Sequence, residues 1–227
     1  MWASARSSAR DRSGDASAAA FRARLLALEE LRPRWTRQDP GARVTGERSP
    51  AADRAELVRR AQRGDSGAFA ELARACGRGV YAIALAHLRR PGDAEDVAQD
   101  VLLAALENLG SCRDPERFDA WLFVIARNRA RRALVRRRLR DVFAGTPPEI
   151  EAPDADPGRA DRRALLAALD ALPAAMREVV LLHDLEGYEH AELARALGVT
   201  EEASRQTLSR ARKKLRDTLI ALEEKRR

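Results

Sequence analysis

The sequence predicts an all-α protein built from two small helical domains that a flexible linker joins. Ala, Leu, Arg and Glu dominate the 227 residues, and all four favour helices. Apolar residues recur at three- and four-residue spacing along two stretches, and a segment rich in proline and acidic residues separates the stretches. The expected domains are therefore 51–140 and 161–227, with a linker at 141–160 and a disordered leader at 1–50.

The apolar pattern of the first domain divides into helices at glycine and proline. Breaks are expected at Gly64-Asp65 and at Pro91-Gly92, and Asp93 is expected to cap the helix that follows. The predicted buried stripe of that helix consists of Val97, Val101, Leu102 and Leu106. After a loop at Gly110 to Pro115, one long helix is predicted from Phe118 to about Leu139, with these residues inward: Trp121, Leu122, Val124, Ile125, Leu134 and Val135.

The second domain contains the pattern of a helix-turn-helix motif. Its first helix is expected at Glu189 to Leu197, and Gly198 follows where a helix end favours positive φ. Thr200 is predicted to cap a second helix that buries Ala203, Leu208, Ala211 and Leu215. That helix would turn Arg205, Gln206, Ser209 and Arg212 outward, which suits docking in a DNA major groove.

The charge pattern indicates a polyanionic partner. The first domain carries 18 basic and 12 acidic residues, whereas the linker carries one basic and five acidic residues. Eight arginines and no acidic residue lie between Arg127 and Arg140, and guanidinium groups bind phosphate well. The aromatic residues just before this run are typical of surfaces that stack separated bases, although they also suit a protein core.

A second polar constellation lies on the helix after Pro91. Asp93, Asp96, Gln99 and Asp100 share one face, opposite the predicted apolar stripe. Acidic side chains are poor DNA contacts, because they repel phosphates. This face is either solvated or docks a basic protein surface.

The cysteines, the apolar runs and the candidate catalytic residues exclude several classes of protein. Cys76 and Cys112 lie far apart and form no CxxC motif, so neither a zinc site nor a disulfide framework is expected. No apolar run approaches a membrane span, and the leader lacks the apolar core of a signal peptide. We expect a cytoplasmic protein without membrane insertion, metal or cofactor. No arrangement of nucleophile, base and carboxylates indicates an enzyme.

The order of three motifs resembles the extracytoplasmic-function group of the sigma-70 family of bacterial RNA polymerase sigma factors. The motifs are DAEDVAQD, then FDAWLFVIARN, then LDALPAAMREVVLLHDLEGYEHAELARALGV with SRARKKLR. The resemblance implies a sigma region 2-like bundle in the first domain and a sigma region 4-like helix-turn-helix in the second. It also implies promoter DNA and core polymerase (β′ clamp helices and β flap) as partners, with an anti-sigma factor, and a monomer when free.

The resemblance further assigns roles to residues. The polymerase-binding face would comprise Asp93, Asp96, Gln99 and Asp100. The −10 element would contact Asn108, Ser111, Arg113, Arg117, Phe118, Trp121, Asn128, Arg131 and Arg132. The −35 element would contact Arg205, Gln206, Ser209, Arg210 and Arg212. Several recognition-helix positions, such as Glu202 to Ser204, differ from the family pattern, so the promoter sequence does not transfer.

Two other classes of function remain open at the level of sequence. A stand-alone helix-turn-helix regulator would dimerise to read a palindrome, yet no helix with sustained heptads offers a dimer interface. An arginine-rich RNA-binding or scaffold protein would explain Arg127 to Arg140 but not the helix-turn-helix.

Overall fold

The computed structural model describes residues 50–144 and 157–224. Every regular element within these two ranges is helical, which confirms the predicted all-α class. The predicted leader up to residue 49 and the middle of the linker lie outside them. Among the described helices, none combines the length and the apolar character that crossing a membrane requires.

Helices α1 (Pro50–Gln62) and α2 (Ser66–Leu88) meet at a tight turn in the predicted place. Gly64 adopts φ of 93°, which favours glycine, and the Asp65 side chain accepts a 3.0 Å hydrogen bond from the Ala68 backbone N–H. Nearly every residue in the second half of α2 is buried, so this helix is the central pillar of the first domain.

Helices α3 (Pro91–Glu107) and α4 (Phe118–Ala144) pack against α2 and against each other. Two short 3-10 turns, Leu109–Ser111 and Pro115–Arg117, connect them. Helix α3 begins at Pro91, so the prediction that Asp93 caps it was wrong. Proline suits this position because it lacks the N–H that a first helical residue cannot pair.

The second domain contains α5 (Pro157–Asp170), α6 (Ala174–Val180), α7 (His190–Leu197) and α8 (Glu201–Glu224). A π-helical turn, Leu181–Leu185, extends α6, and α8 packs against α5, α6 and α7. Helix α4 ends at Ala144 and α5 begins at Pro157, so both helices reach into the segment 141–160.

Four predicted core residues are exposed instead. Leu106 on α3, Val124 and Val135 on α4, and Ala203 on α8 face outward. The other predicted core residues of these helices are buried or half-buried, and on α8 Ser204 is buried next to the exposed Ala203. The apolar residues of a segment do not by themselves show which positions are buried. Burial depends on which neighbouring helix covers each face.

The two domains lie against each other. Helix α2 contacts α6 and the π-helical turn, and α4 contacts α7. The buried apolar residues of both domains form one continuous cluster, in which Phe123 of α4 lies next to Tyr188 from the loop before α7.

Candidate nucleic-acid interface

The outward face of α3 combines acidic and apolar side chains. The opposite face of α3, which includes Ala94, Val97 and Val101, is buried against the domain core. The outward side chains are Asp96, Gln99, Asp100, Leu103, Leu106 and Glu107. Leu103 is 61% exposed and Leu106 is 50% exposed, so two large apolar side chains lie beside the acidic ones on this face. A surface of this kind suits a protein partner better than DNA.

Asp93 differs from its neighbours on this face because it is already paired. Its Oδ2 atom accepts a hydrogen bond from Arg137 of α4 at 2.8 Å, and the same Arg137 nitrogen donates to the Leu88 carbonyl at 3.0 Å. This pair fastens the start of α3 and the end of α2 to α4. Sequence reasoning missed Arg137, because nothing in a run of arginines distinguishes the residue that turns inward.

The loop between α3 and α4 is held in place by side chains on either side of it. Gln62 at the end of α1 donates to the carbonyl oxygens of Leu109, at 3.1 Å, and Cys112, at 2.9 Å. Asn108 donates through its side chain to the Ala104 carbonyl at 2.9 Å, which ends α3. These hydrogen bonds therefore fix the backbone conformation of the loop.

Three of the predicted −10 residues on this loop, Ser111, Arg113 and Arg117, are exposed. Phe118 is buried, and its ring centroid lies 5.7 Å from that of the half-buried Trp121. Cys112 is also buried, and burial raises the pKa of its thiol, so the reactive thiolate is disfavoured.

Helix α4 divides its arginines between two roles. Arg131, Arg132, Arg136, Arg138 and Arg140 are exposed, and so is Asn128. Arg127 and Arg137 instead turn toward protein carboxylates, Glu178 and Asp93. The exposed arginines form a basic surface next to the loop that precedes the helix.

The helix-turn-helix forms as the sequence predicts. Gly198 ends α7 with φ of 72°, and the Thr200 hydroxyl accepts from the Ala203 backbone N–H at 3.1 Å to start α8. A capping box between Glu189 and Glu192 fixes the other end of α7.

The exposed face of α8 carries Arg205, Gln206, Ser209 and Arg210. Arg205 pairs with Glu201 at 2.7 Å and Gln206 bonds to Glu202 at 3.1 Å, so two of these side chains are oriented along the helix. Arg212, the fifth predicted −35 contact, is turned toward the buried carboxylate of Asp184 and bonds both of its oxygens.

Two histidines lie close together at the start of the helix-turn-helix motif. His190 of α7 lies 2.9 Å from the buried Ser204 hydroxyl, and its ring centroid is 4.5 Å from that of His183. Burial first, and then the nearby His183, lowers the pKa of His190, which favours the neutral ring. Within the described ranges no three His, Cys, Asp or Glu side chains cluster as a metal site would require.

The two helical domains, one with a helix-turn-helix motif and one with an arginine-rich helix, define a DNA-binding protein. Residues 72–140 match the model of sigma-70 region 2, and residues 162–215 match that of sigma-70 region 4. The chain therefore belongs to the sigma-70 family of RNA polymerase sigma factors, in its extracytoplasmic-function (ECF) group.

Curated relatives cover both domains. The RNA polymerase sigma factor NccH of Alcaligenes xylosoxydans xylosoxydans is 30% identical over 175 residues, which span 73% of this chain and 94% of NccH. The ECF sigma factor SigM of Mycobacterium tuberculosis is 34% identical over 163 residues, covering 71% of this chain and 82% of SigM. The probable sigma factor RfaY of Xanthomonas campestris is 35% identical over 162 residues, but the match spans only 40% of RfaY.

Two solved structures share the fold. CnrH, solved in complex with the cytosolic domain of CnrY, has a TM-score of 0.54 at 28% identity, over 74% of this chain and 98% of CnrH. The sigma factor RpoE of Bartonella quintana, solved with the anti-sigma factor NepR, has a TM-score of 0.50 at 28% identity, over 66% of this chain and 96% of RpoE.

Proposed function

We propose that this sigma factor docks on core RNA polymerase through the outward face of α3 and directs it to promoters through its two domains. The observation that carries this proposal is the composition of that face. Asp96 and Asp100 would repel a phosphate backbone, whereas burial of Leu103 and Leu106 against another protein would stabilise the complex. A basic, partly apolar surface such as a pair of polymerase helices fits both features.

The neighbouring loop and α4 are suited to the −10 element. Gln62 and Asn108 hold the loop backbone, so Ser111, Arg113 and Arg117 stand at its rim without further ordering. The exposed Asn128, Arg131 and Arg132 continue this surface along α4 and would bind backbone phosphates. Because Phe118 is buried, it would support the half-buried Trp121 rather than stack on a base itself.

The helix-turn-helix would bind the −35 element through α8. Arg205, Gln206, Ser209 and Arg210 are exposed near its N-terminal end, which is the end that enters a major groove. Arg212 would act by positioning α8 through Asp184. The same domain would contact the polymerase β flap.

The partners follow from this assignment. Catalysis would belong to the polymerase, so the chain would act as a cytoplasmic specificity factor and not as an enzyme. CnrH and RpoE were each solved with a regulatory protein bound, and we propose that an anti-sigma factor likewise binds this chain.

Binding to purified core polymerase tests the docking face. Asp100→Arg reverses one exposed charge on α3, and we expect it to weaken binding at least about tenfold. Glu71→Arg makes the same charge change at an exposed position of α2 and should leave binding unchanged. Equal binding by both variants would reject α3 as the docking face.

The stand-alone regulator gives a different result in the same experiment. It would form a stable dimer by size exclusion and bind a palindromic DNA site without polymerase. Failure to bind core polymerase, together with a dimeric mass, would favour it over a sigma factor.

A further inference from the structure

We propose that Glu202 and Arg205 of α8 act together as a base-reading pair that selects one G·C base pair of the −35 element. Glu202 is not among the −35 contacts predicted from the sequence, and it lies in the first turn of α8 beside a second glutamate, Glu201. The identity of the DNA site rests on the proposed function, whereas the arrangement of the side chains follows from their contacts on α8.

Four polar side chains form one row along the start of α8. At its centre, Arg205 Nη1 lies 3.8 Å from Glu202 Oε2. On one side, Arg205 Nη2 donates to Glu201 Oε2 at 2.7 Å. On the other side, the Gln206 amide donates to Glu202 Oε1 at 3.1 Å. The central pair of Arg205 and Glu202 is therefore held from both ends, by a carboxylate and by an amide.

The row lies on the surface that a major groove would receive. The Glu202 side chain is 67% exposed and that of Arg205 is 52% exposed. Ser204 and Leu208, on the other side of the same turns, are buried. The N-terminal residues of a recognition helix are the ones that contact base edges, so this row is the part of α8 that comes nearest to them.

The central pair keeps hydrogen-bonding groups available for DNA. Glu202 Oε2 is too far from Arg205 Nη1 for a hydrogen bond, so this oxygen can still accept one. The bond from Arg205 to Glu201 uses a single N–H group and leaves the other guanidinium donors for a ligand. A set of donors therefore lies directly beside a free acceptor.

A G·C base pair has the complementary pattern. In the major groove it presents the N7 and O6 acceptors of guanine beside the N4 amino donor of cytosine. Arg205 matches the two guanine acceptors, and Glu202 matches the cytosine amino group. In an A·T pair the adenine amino group lies between two acceptors, so it would meet the second N–H of the guanidinium. The pair therefore discriminates against A·T.

The two glutamates also disfavour contact between Arg205 and the DNA backbone. Together with Arg205 they give the first turns of α8 a net negative charge, which repels phosphates. Arg210 is different, because the residues three and four positions before it, Thr207 and Gln206, are not acidic. Arg210 is therefore the better phosphate contact, and Arg205 is the better base contact.

Acidic residues in a first turn also stabilise a helix through its dipole and through pairs with residues three or four positions later. These effects act on the free energy of unfolding. Base reading instead determines which promoter sequences are used, so a measurement of base preference separates the two roles of Glu202.

Transcription from a promoter library, randomised across the −35 element and incubated with core polymerase, measures that preference. Wild type should require G·C at one position. Glu202→Ala should lower the preference there about tenfold and leave the other positions unchanged. Glu202→Asp keeps the charge of the first turn but withdraws the carboxylate, and should lose the same preference. Asp217→Asn, at an exposed site further along α8, should keep the wild-type pattern.

The results expected above support the base-reading pair, and three others would overturn it. These are an unchanged preference in Glu202→Ala, a loss spread evenly over all −35 positions, and an A·T preference at the position that depends on Glu202. If Glu202→Ala loses its helical circular dichroism, Glu202→Asp supplies the same measurement.

A wild-type chain that starts no transcription with core polymerase would reject the proposed function. Selection of the same library by binding to the full chain alone then measures the base preference. Enrichment of a G·C pair that Glu202→Ala removes would retain the base-reading pair in a stand-alone regulator. Absence of any enrichment by the wild-type chain would reject the pair as well.

Discussion

Arg212 and Asp184 form a two-point ion pair that joins the recognition helix to the turn after α6. The Arg212 Nε atom donates to one carboxylate oxygen at 3.0 Å, and a terminal nitrogen donates to the other. The Asp184 side chain is 3% exposed, whereas that of Arg212 is 36% exposed. Loss of the two partners therefore has unequal effects on stability. Arg212 can be hydrated when Asp184 is removed, whereas Asp184 stays buried when Arg212 is removed.

We predict that Arg212→Met lowers the free energy of unfolding by about 3 kcal/mol, since it leaves a buried carboxylate without its cation. Asp184→Asn should cost only about 1 kcal/mol, because Arg212 turns to water. Chemical denaturation of both variants measures the difference.

Arg210→Met is the matched control, because Arg210 is exposed on the same helix. It should keep the stability of the wild type and lose −35 DNA affinity in the polymerase complex. Equal destabilisation by Arg210→Met and Arg212→Met would contradict the positioning role of Arg212.

Gly198 gives a prediction for the turn of the helix-turn-helix. Its φ of 72° is unfavourable for any residue with a Cβ, although a Cβ there would meet open space. Gly198→Ala should therefore cost about 1 kcal/mol through backbone strain alone, read as a lower melting temperature. Gly110→Ala, at a glycine without positive φ and also facing open space, should have almost no effect.

Glu178 gives a prediction for the dependence on pH. Burial raises its pKa, but the hydrogen bond with His87 and the charge of Arg127 outweigh this, so the pKa falls below its ordinary value of 4.5. A lowered folded-state pKa stabilises the protein above the ordinary value, and this contribution is lost as pH falls through the folded-state value. Melting temperatures of wild type and Glu178→Gln should therefore converge below pH 4.5. A constant gap between the two curves at all pH values would contradict this origin of the stability.

Two adjacent arginines on α4 should behave differently. Arg136 is exposed, so Arg136→Gln should weaken DNA binding and reduce its salt dependence by about one phosphate contact, with no loss of stability. Arg137 bonds Asp93 and the Leu88 carbonyl, so Arg137→Gln should chiefly lower the melting temperature. Salt titrations of DNA binding and thermal unfolding, run on both variants, separate the two roles.

The elements with local signals were predictable from the sequence. Gly198 and Thr200 lie at the two ends of the turn in the helix-turn-helix, as predicted, and Gly64-Asp65 separate α1 from α2. These residues act on the backbone next to them, so a single sequence carries the information. The family followed from motifs that occur in the same order in two domains.

The residues that sequence reasoning missed act across long separations. Arg137 and Glu178 look like their neighbours in sequence, but each is turned inward by a partner more than forty residues away. Likewise, the outward position of Val124 and Val135 depends on where α2 and α3 cover α4. Helical periodicity predicts that a face is buried, but the packing of other helices determines which residues lie at its edges.

Transcription in vitro tests the central claim most directly. Core RNA polymerase and fragmented genomic DNA from the host would be incubated with the wild-type chain, with Asp100→Arg, and without sigma factor. We expect discrete start sites that require the chain and that Asp100→Arg greatly weakens, because polymerase docking through α3 precedes promoter recognition. Start sites that are the same with and without the protein would contradict its proposed function as a promoter-specificity factor.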